Sequence, residues 1–416
     1  MNNRLRISIP IIGGKHWLGG ITYISALASA LKALPDDKRP LLQLVIRSHD
    51  VSSLPYHLDA LEHFDRVILI GEATMIQAAL PGHLKAVTLA TPDALARETD
   101  FYYPVNCDVL PDLCSASWIP DFQHIHLPQF FSEQEIRLRN ESFTRIAATA
   151  RTIVFSSESA RRDFEAIYPA SKARTHVLHF HTRIDPKLLQ ADVNAIRKLY
   201  RLPEKFAICC NQFWKHKNHL LLFDAVAKLR DRGVFIPLIC TGSTEDYRFA
   251  DYFQQVRNRL KELALLDQVR ILGTIPRNYQ LQLIRCAAVL IQPSLFEGWS
   301  TVVEDGRALG KKMLLSDLDV HREQATERTL YYERSNSDDL QDKLLTIWKE
   351  SEAGPIIKDE TQAWRASEID QQSFAAELLH LAEDTIRLFS VTETTELKLS
   401  EFAPPHVQHL LKKILS

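Results

Sequence analysis

Short apolar runs alternate with helically spaced segments along nearly the whole chain, and this alternation restricts the fold more than any other feature. Runs at 6–12, 42–46, 66–70, 86–89, 152–156 and 175–180 read as strands. Between them lie loops and helical stretches; the first helix carries Ile24, Leu27, Ala28 and Leu31 on one face. The series resumes at 206–210, 234–240, 269–272, 287–291, 313–315 and 329–332, with a helix showing Leu222, Ala225, Val226 and Leu229. Repeated β–α alternation predicts parallel, doubly wound sheets. A length of 416 residues predicts two such domains, each with ample core. Pro186 marks the crossover between them.

Composition narrows the function. The chain is 45% hydrophobic and 25% charged, as in an ordinary soluble globular protein. A formal net charge of −2 gives no case for nucleic-acid binding. The cysteines at 107, 114, 209, 210, 240 and 286 show no CxxC spacing, which predicts free thiols in a reducing compartment and argues against zinc. The opening apolar run is short and Pro-interrupted, unlike a signal peptide or a membrane span. The expected setting is cytoplasmic. Peripheral contact with the inner face of a membrane stays open, because PPHVQHLLKKILS at 404–416 reads as a short basic amphipathic helix. That helix suits docking on its own protein, a partner or an anionic membrane.

Three stretches carry chemistry. In IQPSLFEGWSTVVEDGRALG a strand ends at Pro293, a turn carries Glu297, Gly298 and Trp299, and Ser300 or Thr301 caps a helix that Gly310 stops. A helix opening at the carboxyl end of a strand turns its amides toward a ligand such as phosphate. Two acids flank this opening, Glu297 on the turn and Asp305 in the helix, with Glu304 beside the second. After the strand at 206–210 comes NQFWKHKNH, a basic loop with Gln212, Lys215 and Lys217. After the first strand comes GGKHWLGGIT, a Gly-rich loop with Gly19 and Gly20 that is neither GxGxxG nor a P-loop. Histidines 176, 179 and 181 lie close together without a carboxylate or Cys at metal spacing, and read as structural. Asp317-Leu318-Asp319 reads as a loop cap.

The acidic pair in its strand–turn–helix setting resembles the motif of Glu, seven residues and Glu found in retaining nucleotide-sugar glycosyltransferases with the two-domain GT-B fold, in particular family 4. This resemblance covers most of the chain, strongly at 206–324 and more weakly at 1–185. It implies two Rossmann-like domains facing across a cleft: 1–185 on the acceptor side, 186–370 binding the nucleotide sugar, and 371–416 a crossing-back helix with the tail. Glu297 matches the first acid and would hold sugar hydroxyls; Asp305, where the family has Glu, would hold the ribose. Lys217 matches the lysine that grips the diphosphate. Asn211 and Gln212 fall where the family has Gly-Arg, leaving Lys215 on the same loop to supply the second cation. Gly19 and Gly20 match the loop that lets the backbone approach donor and acceptor. In SWIPDFQHIHLPQFF at 117–131, Asp121 matches the Asp of a His-Asp-Leu segment, while Pro120 replaces its His. Either His124 or His126 would then enter the site.

What the resemblance implies is a metal-independent retaining hexosyltransferase without a cofactor. Its donor is a nucleotide-diphosphate sugar, and its acceptor a glycan or lipid-linked hydroxyl in cell-surface polysaccharide synthesis. A sugar-nucleotide epimerase and a sugar phosphorylase share the fold and remain alternatives. A catalytically silent scaffold subunit is the alternative of another class, because Pro120 and Gln212 both depart from the pattern.

Overall fold

The computed structural model describes residues 4–15, 17–324 and 326–390. The basic amphipathic stretch at 404–416 lies outside them. The described residues form two compact units: the first takes in those up to 122, 133–180 and 370–390, and the second 123–132 and 181–369. The sequence places the crossover at 185/186; the units part at 180/181. Residues 123–132, expected within the first domain, group with the second unit.

In the first unit, β1 (Arg6–Pro10), β2 (Leu41–Arg47), β3 (Arg66–Ile70), β4 (Lys85–Leu89), β5 (Phe101–Asn106), β6 (Ser115–Ile119), β7 (Thr152–Phe155) and β8 (Arg174–Val177) build one eight-stranded sheet. Its order is β4-β3-β2-β1-β5-β6-β7-β8, and every pairing is parallel. Helix α1 (Leu18–Lys32) follows β1; α2 (Gln123–His126) follows β6 and belongs to the second unit; α3 (Glu133–Thr149) and α4 (Glu158–Ile167) flank β7. Strand β5 has no counterpart among the predicted runs. Pro104 lies inside it, where a missing N–H removes a ladder donor, and the register against β6 shifts between Tyr102 and Val105.

The second unit contains α5 (Pro186–Gln190), α6 (Val193–Leu199), β9 (Ala207–Cys210), α7 (His219–Asp231), β10 (Leu238–Thr241), α8 (Tyr252–Glu262), β11 (Val269–Ile271), α9 (Arg277–Cys286), β12 (Val289–Gln292), α10 (Thr301–Ala308), β13 (Met313–Ser316), α11 (Asp319–Glu323), β14 (Thr329–Tyr332) and α12 (Ser337–Glu350). Its six parallel strands run β11-β10-β9-β12-β13-β14. Side chains alternate along β9: Ala207 and Cys209 enter one core cluster, Ile208 and Cys210 the cluster on the other face. Such two-sided burial explains why these strands read as continuous apolar runs. The last described helix, α13 (Ile357–Ser390), begins in the second unit and ends in the first.

Strand order fixes where a ligand would lie. The chain runs outward in one direction from β9 through β10 to β11, and in the other from β12 through β13 to β14. The β9 and β12 loops therefore diverge at their carboxyl ends, and such a switch point opens a crevice.

Candidate functional site

The loops after β9 and β12 meet at this crevice. Leu295 donates its amide to the His216 carbonyl at 2.7 Å, tying one loop to the other. Asn218, left-handed at φ 55, ends the 215–217 turn and starts α7; Asn tolerates this conformation better than most residues. The turn presents Lys217, whose Nζ donates to Glu297 Oε1 at 2.6 Å. Gln292 Nε2 and Ser294 Oγ donate to the same oxygen at 2.7 and 2.6 Å. Among the described residues no hydrogen bond reaches Glu297 Oε2. The Glu297 side chain is only 8% exposed. Burial by itself would raise its pKa, but the charge of Lys217 and the bonds from Lys217 and Ser294 outweigh it and hold the carboxyl below its ordinary range. Glu297 is thus an ionised carboxylate with one saturated oxygen and one left over.

The chain builds this geometry with three residues that the sequence did not single out, Gln292, His321 and Gln324, alongside Asn211 and Ser300. Asn211 Nδ2 donates to Gln292 Oε1 at 2.8 Å, which orients the Gln292 amide so that its nitrogen faces Glu297 and, at 3.1 Å, Ser300 Oγ. Ser300 caps α10, accepting from the Val303 amide at 3.4 Å. The Ser300 amide, expected to face a phosphate, donates instead to Gln324 Oε1 at 3.1 Å. Beneath the site, His321 is fully buried and its Nδ1 donates to the Ser316 carbonyl at 2.8 Å; burial keeps the imidazole neutral by lowering its pKa. The available signals were a Gln ending an apolar strand and the HREQ run after β13.

The helical acids depart from expectation. Asp305 is fully buried, with both oxygens engaged by the Arg277 guanidinium and one also accepting from Thr182 Oγ1 at 2.7 Å. Glu304 is equally occupied, by His181 at 3.0 Å, Gln324 at 2.8 Å and Arg307 at 3.1 Å. In this arrangement both carboxylates are engaged by the protein itself, Asp305 by Arg277 of the preceding helix and Glu304 by His181, Gln324 and Arg307 of its own helix. Lys215 places its ammonium 3.8 Å from the Phe249 ring centroid. Gln212 is half-buried in a loop packed so closely on β10 that a Cβ on Gly242 would lie 2.1 Å from the Asn211 carbonyl oxygen. Gly298 and Thr301 are half-buried around the turn, and Trp299 is buried. His126 packs on Phe296, beside Glu297, with centroids 5.2 Å apart, whereas His124 is buried against Phe131.

Asp121 belongs to the first unit, 3.9 Å from Arg139. The Gly-rich loop there closes on itself. Gly13 has φ 92, and a Cβ on it would lie 2.6 Å from the Trp17 carbonyl; a Cβ on Gly20 would lie 3.0 Å from Gly13, and one on Gly19 3.2 Å from the Trp17 indole nitrogen. Of the histidine trio, His181 lies in the second unit on Glu304, and the other two in the first. In the Asp-Leu-Asp stretch, Asp317 pairs with Arg322 at 2.6 Å and Asp319 opens α11. Among the described residues, no helix is long and apolar enough to cross a membrane.

The chain is similar in part of its sequence, and in its fold, to known proteins. Residues 193–365 match the family model described as Glycosyl transferases group 1. EpsF of Bacillus subtilis (strain 168), to which a glycosyltransferase role is ascribed, is 29% identical over 106 residues, which is 26% of this chain and 26% of that protein. Among solved structures, the sucrose-phosphate synthase of Thermosynechococcus elongatus aligns over 94% of this chain and 100% of its own, with TM-score 0.60 and 14% identity. HepE of Anabaena, solved in complex with UDP, aligns over 93% of this chain and 99% of its own, with TM-score 0.57 and 15% identity; it has also been solved with UDP-glucose. At these identities the structural likeness speaks for the fold. The chain therefore has the GT-B fold, with two parallel-sheet α/β domains, and its residues 193–365 match the Glycosyl transferases group 1 model.

Proposed function

We propose that this protein is a retaining glycosyltransferase of family 4 that moves a hexose-type sugar from a nucleotide-diphosphate sugar to an acceptor hydroxyl, in the synthesis of a glycan or cell-surface polysaccharide. The observation that carries the reading is the Lys217–Glu297 pair at the switch point, with no donor to Glu297 Oε2 among the described residues. A buried, ionised carboxylate with one open oxygen is suited to accept hydrogen bonds from the hydroxyls of a sugar. An ammonium beside it stabilises the negative charge that grows on a departing diphosphate. HepE, of similar fold, is solved with UDP and with UDP-glucose, which supports a nucleotide-sugar donor. The second unit holds this donor, and the first, with Asp121 and the Gly-rich loop, takes the acceptor. No metal or cofactor is assigned to the reaction, and the protein acts in the cytoplasm, where nucleotide sugars are made.

The test is a thermal-shift screen with UDP, GDP, ADP and dTDP and their sugars, followed by product analysis, since a ligand of the native state raises the melting temperature. Glu297→Gln should keep nucleotide binding and lower transfer about tenfold or more, the loss expected for one charged hydrogen bond. Transfer at the native rate in this variant would sink the role given to Glu297. Release of a free epimerised sugar without acceptor would replace transferase by epimerase.

A further inference from the structure

Two cations near the β9 loop have no carboxylate partner among the described residues. Lys217 is paired with Glu297, but Lys215 and Arg248 touch rings instead. The guanidinium carbon of Arg248 lies 4.7 Å from the centroid of Phe131, 4.8 Å from Trp214 and 5.3 Å from Tyr247. Its one side-chain hydrogen bond, to Gln123 Oε1, is 3.5 Å long, at the weak limit for such a contact. Asp246, two residues away, accepts from the Arg248 backbone amide at 3.0 Å and not from the guanidinium. Rings fix the direction of a cation without neutralising it. Arg248 is therefore a held guanidinium whose planar fork of N–H donors is largely unused.

Its location narrows the ligand. Trp214 immediately precedes the turn that presents Lys217. The buried His216 between them has its pKa pushed well down, by burial first and then by the charges of Lys217 and Arg248. Helix α7 starts directly after the turn with no side chain capping its first amides. Two lysines, a guanidinium and an open helix start around one loop exceed what a single carboxylate needs, and match an anion with several charges.

We propose that Arg248, reaching in from the β10–α8 connection, grips the diphosphate of the donor together with Lys217; this rests on the nucleotide-sugar reading above. Calorimetry would use whichever of UDP, GDP, ADP and dTDP the wild-type protein binds most tightly, alongside the matching monophosphate. Arg248→Met keeps an apolar stem against the three rings and removes the charge. The preference for diphosphate over monophosphate should then fall about tenfold, as expected for a charged bidentate contact. Arg248→Lys, which keeps the charge but loses the fork, should recover part of it. An unchanged preference in Arg248→Met overturns the assignment, even if both affinities fall together, because that pattern marks a collapsed loop. If the wild type binds none of the four diphosphates, the donor reading fails first and takes this assignment with it.

Discussion

Asp305 stands where the resembling motif has Glu, and the protein's own donors engage both of its oxygens. Its carboxylate is fully buried, while its partner Arg277 keeps 41% of its side chain exposed. The pair is therefore partly screened, and deleting the acid lets Arg277 resolvate. What remains is a cavity and an orphaned Thr182 hydroxyl. Asp305→Ala should lower unfolding free energy by about 1–3 kcal/mol, measured by urea titration. Nucleotide affinity should change less. An equal loss of affinity with unchanged stability would return Asp305 to the ribose role that the spacing suggested. Glu304→Ala should also destabilise, since three donors converge on that carboxylate. At this scale the sequence singled out Glu297 and Lys217, which the structure pairs, because an acid on a strand-end turn and a Lys in a basic strand-end loop are local signals. It could not show that Arg277, from the preceding helix, reaches Asp305, nor that Arg248 stacks on Trp214. Those contacts join segments 28 and 34 residues apart, and no local pattern encodes them.

Among the elements, the β9 and β10 ends illustrate the tolerance of the site. Gly242 has φ 129, a region L side chains rarely adopt, and its absent Cβ makes room for the Asn211 carbonyl. Asn211 in turn orients Gln292, and Gln292 holds both Glu297 and the α10 cap. Gly242→Ala should therefore cost about 1–3 kcal/mol of stability through backbone strain and weaken nucleotide binding as the 211–217 loop shifts. Ser300→Ala tests the neighbouring link: loss of the cap should cost about 0.5–2 kcal/mol, and transfer should fall because Gln292 loses one of its two anchoring acceptors. Native binding and stability in Gly242→Ala would show that the loop adapts freely. Most elements were legible, because buried parallel strands are apolar on both faces; β3 and β14 match the predicted runs end to end. Strand β5 was not, since Pro104 argues against a central strand. Helix α13 spans Ile357–Ser390, whereas the resemblance placed a crossing-back helix only from 371 onward. Its first part is polar along most of its length and offers little periodic contrast.

For the whole molecule, three buried histidines and the half-buried His176 predict a pH dependence with a definite sign. His57 and His176 in the first unit, and His216 and His321 in the second, all have pKa values lowered, in each case by burial before any other cause. Each binds its proton more readily in the unfolded chain, where its pKa returns to about 6.5. Below that value the unfolded state holds more protons than the folded one, so stability falls as pH falls. Each histidine contributes a slope of at most about 1.4 kcal/mol per pH unit, and both units carry two. The lowered carboxyls, Glu297 and Glu304 among them, act in the same direction but only at more acid pH: their stabilisation is full above the unfolded carboxyl value and is lost as pH drops through the folded one. Between pH 7.5 and 5.5 the histidines should dominate. Urea midpoints should change little from pH 8 to 7, then decline steadily through 6.5 to 5.5, with the steepest loss before any carboxyl titrates. His321→Asn should flatten part of that decline while leaving the stability at pH 8 within about 1–2 kcal/mol of the native protein, the range for replacing a buried hydrogen-bonded side chain. Midpoints that hold constant down to pH 5.5 would mean these imidazoles reach solvent in the folded protein, and the packing described around His216 and His321 would have to be abandoned.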